Sequence, residues 1–409
     1  YLIEHFGKQY YSTTITINFE LQPEYKDCFH SLQPETILNQ LEGLLGTPIH
    51  REQSLLFLDE IQECPRAIMA LRYFKEQMPK LAVIAAGSLL EFALRDENFR
   101  MPVGRVEFAY LKPLSFYEYL QARGYETLLT LLRNTSLTQP PTSVIHKKLL
   151  ELVKEYTLVG GMPAAVNAFL QTGRYQDCQH MQTVILSTYR NDFGKYANQA
   201  HHKYLQKVFT QTPGLVGKSI KYTQFDQEMR SRDLKTAIQN LTDAGILYRV
   251  IATAASGLPL NIHSNDKLFK LLLLDVGLVS RAMGIGVHEL VGNTLLLNKG
   301  AITEQWVGQE LLAYRDPSEE TDLFYWCRNK PGSQAEVDYV IHADSHIIPI
   351  EVKTGATGQL KSLQLFLKEK NIPVGVRISQ HPLSTVDQIM SVPFYLISEI
   401  PRLVSELAK

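Results

Sequence analysis

Ser54-Leu55-Leu56-Phe57-Leu58-Asp59-Glu60 places four uninterrupted apolar residues ahead of two carboxylates. A short apolar run without polar alternation suits a strand buried on both faces, which requires a parallel sheet covered by helices. The neighbouring segments agree. Thr13–Glu20 (TTITINFE) is rich in strand-forming β-branched residues, and Leu81–Ser88 (LAVIAAGS) is a second apolar run. Between them, Pro65–Gln77 spaces Ile68, Leu71 and Phe74 at helical intervals. Leu2, Ile3 and Phe6 suggest one face of an opening helix. Residues 1–132 are therefore expected to form an α/β layered domain.

In an open parallel sheet, ligands bind beyond the carboxyl ends of the strands, where Asp59 and Glu60 emerge. An acid at such a strand end suits Mg²⁺ in a nucleoside triphosphate hydrolase, and a second acid can polarise or deprotonate the attacking water. Asp59 is the candidate metal residue and Glu60 the candidate catalytic one. Gly87-Ser88 ends the next strand and places a hydroxyl where it can sense phosphate. Arg105, in Gly104–Leu120 (GRVEFAYLKPLSFYEYL), suits γ-phosphate charge. The plainer readings are two exposed acids closing a buried strand, and an ion pair at Arg105.

The other half of such a site is a Gly-rich loop whose backbone N–H groups and Lys hold the phosphates. No G-x-x-x-x-G-K-[ST] occurs in these 409 residues. The nearest approach read along the chain is Phe6-Gly7-Lys8-Gln9, in a helix-like segment without the loop glycine or the hydroxyl. Tyr1–Phe6 reads as the helix that follows such a loop. The simplest expectation is a loop lying just upstream; the alternative is a degenerate domain that no longer hydrolyses ATP.

A second constellation lies near the C-terminus. Ala335–Ile341 (AEVDYVI) and His346–Lys353 (HIIPIEVK) read as strands. Residues two apart on a strand share a face, so Glu351 and Lys353 point the same way. If the strands pair, Asp338 lies beside Glu351. Glu304, on the helical stretch Ile302–Arg315, can complete an acidic site, and Gln364 sits on the following amphipathic helix. Two or three carboxylates and a lysine suit Mg²⁺-assisted phosphodiester chemistry. Glu304, Asp338 and Glu351 are the candidate metal ligands, and Asp338, Glu351 and Lys353 the candidate catalytic residues. The order helix, three strands, helix over about residues 300–380 resembles the PD-(D/E)xK nuclease fold. The same acids also suit a cross-strand ion pair.

Between these regions, Arg133–Val144 is Ser-, Thr- and Pro-rich and reads as a loop. Helical patterns follow, broken at Gly160-Gly161-Met162-Pro163. Tyr222–Met229 and Ser231–Ala244 read as two short helices, with Ser231 as cap and Gly245 as stop, before a strand at Ile246–Val250. This is the order of a winged helix-turn-helix. Arg230, Arg232 and Lys235 suit contacts to DNA phosphates; a packing module with solvated charges is the alternative. The expected domains are 1–132, 145–290 with the winged helix at about 203–250, and 295–409 with a restriction-endonuclease-like α/β fold.

Composition narrows the partners. Hydrophobic residues make up 45% and charged residues 20%, as in a globular protein, and the net charge of -1 gives no general affinity for nucleic acid. Cys28, Cys64, Cys178 and Cys327 have no paired spacing, which argues against a zinc site or disulfide framework and for a cytoplasmic location. Lys270 and Asp275 interrupt the most apolar run, Leu268–Val279, so no membrane association is expected.

The order of Ile17–Glu20 (INFE), Leu55–Gln62 (LLFLDEIQ), Ala85–Phe92 (AAGSLLEF), Gly104–Leu120, Glu155–Pro163 (EYTLVGGMP), Tyr189–Tyr196 (YRNDFGKY) and Lys270–Ser280 (KLLLLDVGLVS) resembles one family. It is that of the archaeal-type, AAA-like P-loop ATPases of prokaryotes with a C-terminal DUF4143 domain. The resemblance covers nearly the whole chain. It implies ATP and Mg²⁺ as cofactors, and the roles given above for Asp59, Glu60, Ser88 and Arg105. An ATPase coupled to a DNA-associated, nuclease-like domain is the leading expectation. A non-cleaving nucleotide-dependent switch that binds a protein partner is the rival. An arginine finger acting between subunits would require oligomerisation.

Overall fold

The computed structural model describes residues 1–87, 104–196, 199–226, 229–286, 300–319, 322–330, 333–354 and 359–407. The chain divides into two compact units: residues 1–109 with 243–245, and residues 110–242 with 246–409. The boundary falls earlier than the expected 132, because the helices at Phe116–Ala122 and Glu126–Arg133 pack within the second unit.

In the first unit, α1 (Leu2–Tyr10), α2 (Pro34–Leu45) and α3 (Pro65–Gln77) accompany β1 (Thr13–Asn18), β2 (Ser54–Asp59) and β3 (Ala82–Ala85). The strands form a parallel sheet in the order β1-β2-β3. β2 is central and Leu55–Leu58 are buried, as the apolar run predicts. Each such side chain contributes roughly 1.5–3 kcal/mol relative to exposure, enough together to hold two acids at the strand end. β3 is only half-buried along its length, unlike the expectation of a strand covered on both faces. Nor does α1 bury the predicted face. Leu2 and Phe6 are exposed, and the buried residue is Gly7, where a Cβ would meet the Thr14 side chain. Glycine is needed at that position for helix-to-strand approach.

The second unit opens with α4 (Phe116–Ala122), α5 (Glu126–Arg133), α6 (Ser143–Val159), α7 (Pro163–Thr172), α8 (Tyr175–Tyr196), α9 (Gln199–Leu215) and α10 (Ser231–Asp243). Next come β4 (Leu247–Thr253), β5 (Ser264–Leu273), α11 (Val276–Ala282) and α12 (Gly300–Ala313). β6 (Leu323–Lys330), β7 (Ser333–Ala343), β8 (His346–Val352), α13 (Lys361–Lys370) and β9 (Gly375–Ser379) complete the predicted helix, three strands and helix, with one strand more. The chain then forms β10 (Ser384–Val386), β11 (Ile389–Pro393) and α14 (Ile400–Leu407).

The strands of this unit form one sheet, ordered β10-β11-β9-β8-β7-β6-β4-β5. β4 pairs antiparallel with β5 and parallel with β6, so the strand expected at Ile246–Val250 extends the C-terminal sheet. Both edges of β4 have ladder partners, so the sheet includes strands from both sides of position 295. Where Tyr222–Met229 was expected to be helical, a 3₁₀ turn spans Tyr222–Gln224; residues 227–228 lie outside the described set.

A buried polar hub explains two motifs that had no assigned chemistry, Glu155–Pro163 and Lys270–Ser280. Asp275 caps α11, accepting N–H bonds from Leu278 (2.9 Å) and Gly161 (2.6 Å). Gly160 has φ +73° and a Cβ there would lie 2.3 Å from Asp275 Oδ1. Gln309 donates to Asp275, and the neighbouring Glu310 accepts the Phe116 N–H at the start of α4. Burial pushes the Asp275 carboxyl up to about 6 and that of Glu310 up to about 7.

Candidate functional sites

The first site is the carboxyl end of β2. Asn18 and Asp59 end adjacent parallel strands in register, and Asn18 Nδ2 donates to Asp59 Oδ2 at 2.9 Å. Asp59 is half-buried, so a cation can reach it without full dehydration of the carboxylate. Glu60 follows in the left-handed region (φ 51°), which turns the chain sharply out of the strand. Gln62 Nε2 donates to Glu60 Oε2 at 2.6 Å and holds that carboxylate. Gln62 Oε1 is buried without a hydrogen-bond partner, and a Cβ on Gly87 would lie 2.3 Å from it. A glycine at 87 is thus the condition for Gln62 to reach Glu60.

Asn18 and Gln62 are not marked as site residues by the sequence. Both lie inside quoted motifs, INFE and LLFLDEIQ, but strand register is needed to place them beside Asp59 and Glu60. Ser88 lies outside the described residues. Arg105 does not join this site. Its Nε pairs with Glu76 Oε1 at 3.0 Å, near the end of α3. α3 leaves the carboxyl end of β2 and delivers the chain to the start of β3, so its last turn lies at the opposite end of the sheet. The partially exposed ion pair is the arrangement that the plainer reading described.

Gly217-Lys218-Ser219 approaches the phosphate-loop pattern more closely than Phe6–Gln9 does. It follows α9 and leads into extended chain. A phosphate loop needs a strand before it and a helix after it, so this tripeptide does not form one.

The second site is a buried pocket in the second unit. Glu304 of α12, Glu336 and Asp338 of β7, Glu351 of β8 and Lys353 converge there, as the strand pairing predicted for Asp338, Glu351 and Lys353. Lys353 Nζ pairs with Glu351 Oε1 at 2.6 Å. Asp338 Oδ2 accepts the Val352 N–H at 2.8 Å. Tyr339 donates its hydroxyl to the Glu304 carbonyl and ties β7 to α12. At Gly217 (φ +77°) a Cβ would lie 3.0 Å from Glu304 Oε2, so the chain after α9 closes on that carboxylate.

Lys270 of β5 is the member that the sequence presents only as a charge within an apolar run. It is 3% exposed. Its Nζ lies 2.5 Å from Glu336, 3.4 Å from Glu304 and 3.7 Å from Asp338, and 5.2 Å from the Tyr325 ring centre. Desolvation opposes its charge, but Glu304, Asp338 and Glu336 outweigh it and raise its pKa. Burial, then the neighbouring Asp338 charge, raises the carboxyls of Glu304 and Glu351; burial also raises Asp338. Among the described residues no three His, Cys, Asp or Glu side chains are grouped to hold a metal ion. The acids predicted as Mg²⁺ ligands are together, but a lysine ammonium stands among them. The pocket as built does not fit a divalent cation.

The remaining candidates are on α10. Leu234, Ala237, Ile238 and Leu241 are buried, while Arg230, Arg232 and Lys235 are exposed or half-buried. No helix is long and apolar enough to cross a membrane among the described residues.

A parallel α/β sheet with an acid pair at the end of its central strand is the layered class of domain that binds ligands beyond its strand ends. Comparison with known families agrees: residues 1–120 match an AAA domain, residues 150–289 a domain of unknown function (DUF8612), and residues 299–396 a domain of unknown function (DUF4143). The chain thus joins an N-terminal segment that matches an AAA domain to a C-terminal segment that matches DUF4143. A solved structure of the Aeropyrum pernix ORC1 protein in complex with DNA is similar over 69% of this chain and 80% of that one, at 12% identity. Its TM-score of 0.28 is too low to bear on fold or function. No curated protein matches the chain significantly.

Proposed function

We propose that this protein is an ATP-hydrolysing switch whose nucleotide cycle acts on a DNA-associated, nuclease-like C-terminal region. The observation that carries the ATPase half is the Asn18–Asp59 pair beside Glu60 at the end of β2. Mg²⁺ would neutralise charge on the phosphate oxygens of bound ATP, and Asp59 is the residue to hold it. Asn18 fixes the Asp59 carboxylate at the end of the paired strands. Glu60, steadied by Gln62, orients the attacking water and takes its proton. ATP turnover by protein extended at its N-terminus through a G-x-x-x-x-G-K-[ST] loop, compared with its Glu60→Gln variant, tests this. Turnover that survives the substitution contradicts it.

The DNA-associated half is supported by Arg230, Arg232 and Lys235 around the start of α10, in the position of a recognition helix ahead of the β4–β5 hairpin. Binding that weakens uniformly across sequences and shows a shallower salt dependence in Arg232→Ala/Lys235→Ala is the expected signature.

A cleaving reading of the C-terminal region is favoured by one observation: Glu304, Asp338, Glu351 and Lys353 share one pocket, and Glu351 Oε2 is buried without a hydrogen bond. Metal-dependent DNA cleavage abolished by Asp338→Ala or Lys353→Ala would establish it. Equal background activity in both variants and the parent removes it. A non-cleaving switch acting on a protein partner is the outcome left if DNA binding is also absent.

A further inference from the structure

The C-terminal pocket has a charge imbalance that its family match does not address. Four carboxylates, Glu304, Glu336, Asp338 and Glu351, surround two ammonium groups, Lys270 and Lys353. Lys353 is a quarter exposed and belongs to the E-x-K strand. Lys270 comes from β5, outside the segment matching DUF4143, and is buried. It reaches three carboxylates on two elements: α12 through Glu304, and β7 through Glu336 and Asp338. A buried lysine is tolerated only where carboxylates repay its lost hydration. Conversely, the ammonium offsets part of the cost of burying Glu304 and Asp338 as carboxylates.

We propose that Lys270 is the built-in counter-ion of this pocket and competes with divalent metal for Glu304 and Asp338, so that the resting site is metal-free. The inference rests on the nuclease-like reading of the pocket but turns it: the carboxylates converge on a lysine ammonium, and the chain supplies the cation itself. Three features support exclusion of a metal. The ammonium stands where the acids converge. Tyr325 faces its other side at cation–π distance. The chain at Gly217 approaches Glu304 so closely that a Cβ there would lie 3.0 Å from Oε2, which crowds that carboxylate.

The test is calorimetric titration of nucleotide-free protein with Mn²⁺, using the parent, Lys270→Gln, Lys270→Arg, and Lys270→Gln combined with Asp338→Asn. The expected result is no binding to the parent or Lys270→Arg, and one site in Lys270→Gln at least about tenfold tighter than any residual parent binding. The added Asp338→Asn change should remove that site. Parent protein that binds Mn²⁺ in a manner lost in Asp338→Asn alone overturns the proposal, whether or not the lysine variants fold. A folded Lys270→Gln protein that binds no Mn²⁺ also overturns it, since no competition then exists. Failure of DNA cleavage by the parent leaves the proposal standing, whereas Mg²⁺-dependent cleavage abolished by Asp338→Asn defeats it and restores the cleaving reading.

Discussion

The two acidic sites of this chain are built on opposite electrostatic terms. At the end of β2, Asp59 and Glu60 are half-buried and steadied by neutral amides, Asn18 and Gln62. Their charge is not committed to a lysine or arginine ion pair among the described residues, so it is available to a ligand. In the C-terminal pocket Asp338 and Glu351 are largely buried, Glu336 is partly exposed, and lysine ammonium groups already hold the acids. Water screens the first pair; the second group must be compensated from within. Similar residue types therefore do different work. The open pair is suited to a cation that arrives with a nucleotide. The enclosed group is suited to holding β5, β7, β8 and α12 together, with lysine in a metal's place.

The largest effect should fall on the open site. Glu60→Gln is expected to lower ATP turnover by about 10²–10⁴-fold, with little change in affinity for Mg²⁺-ATP. Unchanged turnover would place hydrolysis elsewhere and dissolve the contrast. Next, Lys270→Met should cost about 3–5 kcal/mol in urea unfolding, because it strands buried carboxylates. Lys353→Met, whose ammonium is partly exposed, should cost distinctly less. Equal losses would mean that the two lysines are equivalent and that the pocket has no special counter-ion.

Stability of the second unit should also fall as pH rises. Burial lifts the Asp275 carboxyl to about 6 and the Glu310 carboxyl to about 7, above their values in the unfolded chain. The native state then binds more protons than the unfolded state. The stabilisation is complete below the ordinary carboxylate range and is lost as pH climbs through 6 and 7. Glu310→Gln keeps an acceptor for the Phe116 N–H while removing the charge, so it should shrink the difference in unfolding free energy between pH 5 and pH 8 by roughly 1–3 kcal/mol. An unchanged difference would show that Glu310 ionises freely. The smallest effect is expected at Arg105. Its pairing with Glu76 is partly exposed, so Arg105→Ala should cost under about 1 kcal/mol and leave turnover near the parent value. A fall of several hundredfold would restore Arg105 as an arginine finger.

Much of this architecture is legible in the amino-acid sequence alone. The run Leu55–Leu58 predicts a strand buried on both faces because apolar continuity has few other solutions, and β2 is the centre of a parallel sheet. The strand Ala335–Ile341 is likewise marked by alternation of apolar and polar residues, whereas the helix Gly300–Ala313 is buried nearly all round and shows no such period. Long-range register leaves no such local mark. Asn18 meets Asp59 only because β1 and β2 end together. Lys270 meets Glu304 and Asp338 only because β4 pairs with β6 and brings β5 onto the same sheet. Read locally, Lys270 interrupts an apolar segment; its meaning depends on residues 34 and 68 positions further along. The strand at Ile246–Val250 is legible, but its pairing with β6 is not, since a strand's second partner cannot be read from the strand itself. Asp275 and the Gly160-Gly161 pair stand out in the sequence, but their spacing of more than a hundred residues conceals a single cap and its close-packed neighbour.

The contrast between the two acidic sites is tested most directly by counting Mn²⁺ ions bound per chain by electron paramagnetic resonance, in the presence of ATP, in full-length protein carrying a phosphate loop. The account predicts one ion per chain, dependent on ATP, lost in Asp59→Asn and unaffected by Asp338→Asn. An ion that persists in Asp59→Asn and disappears in Asp338→Asn would contradict it.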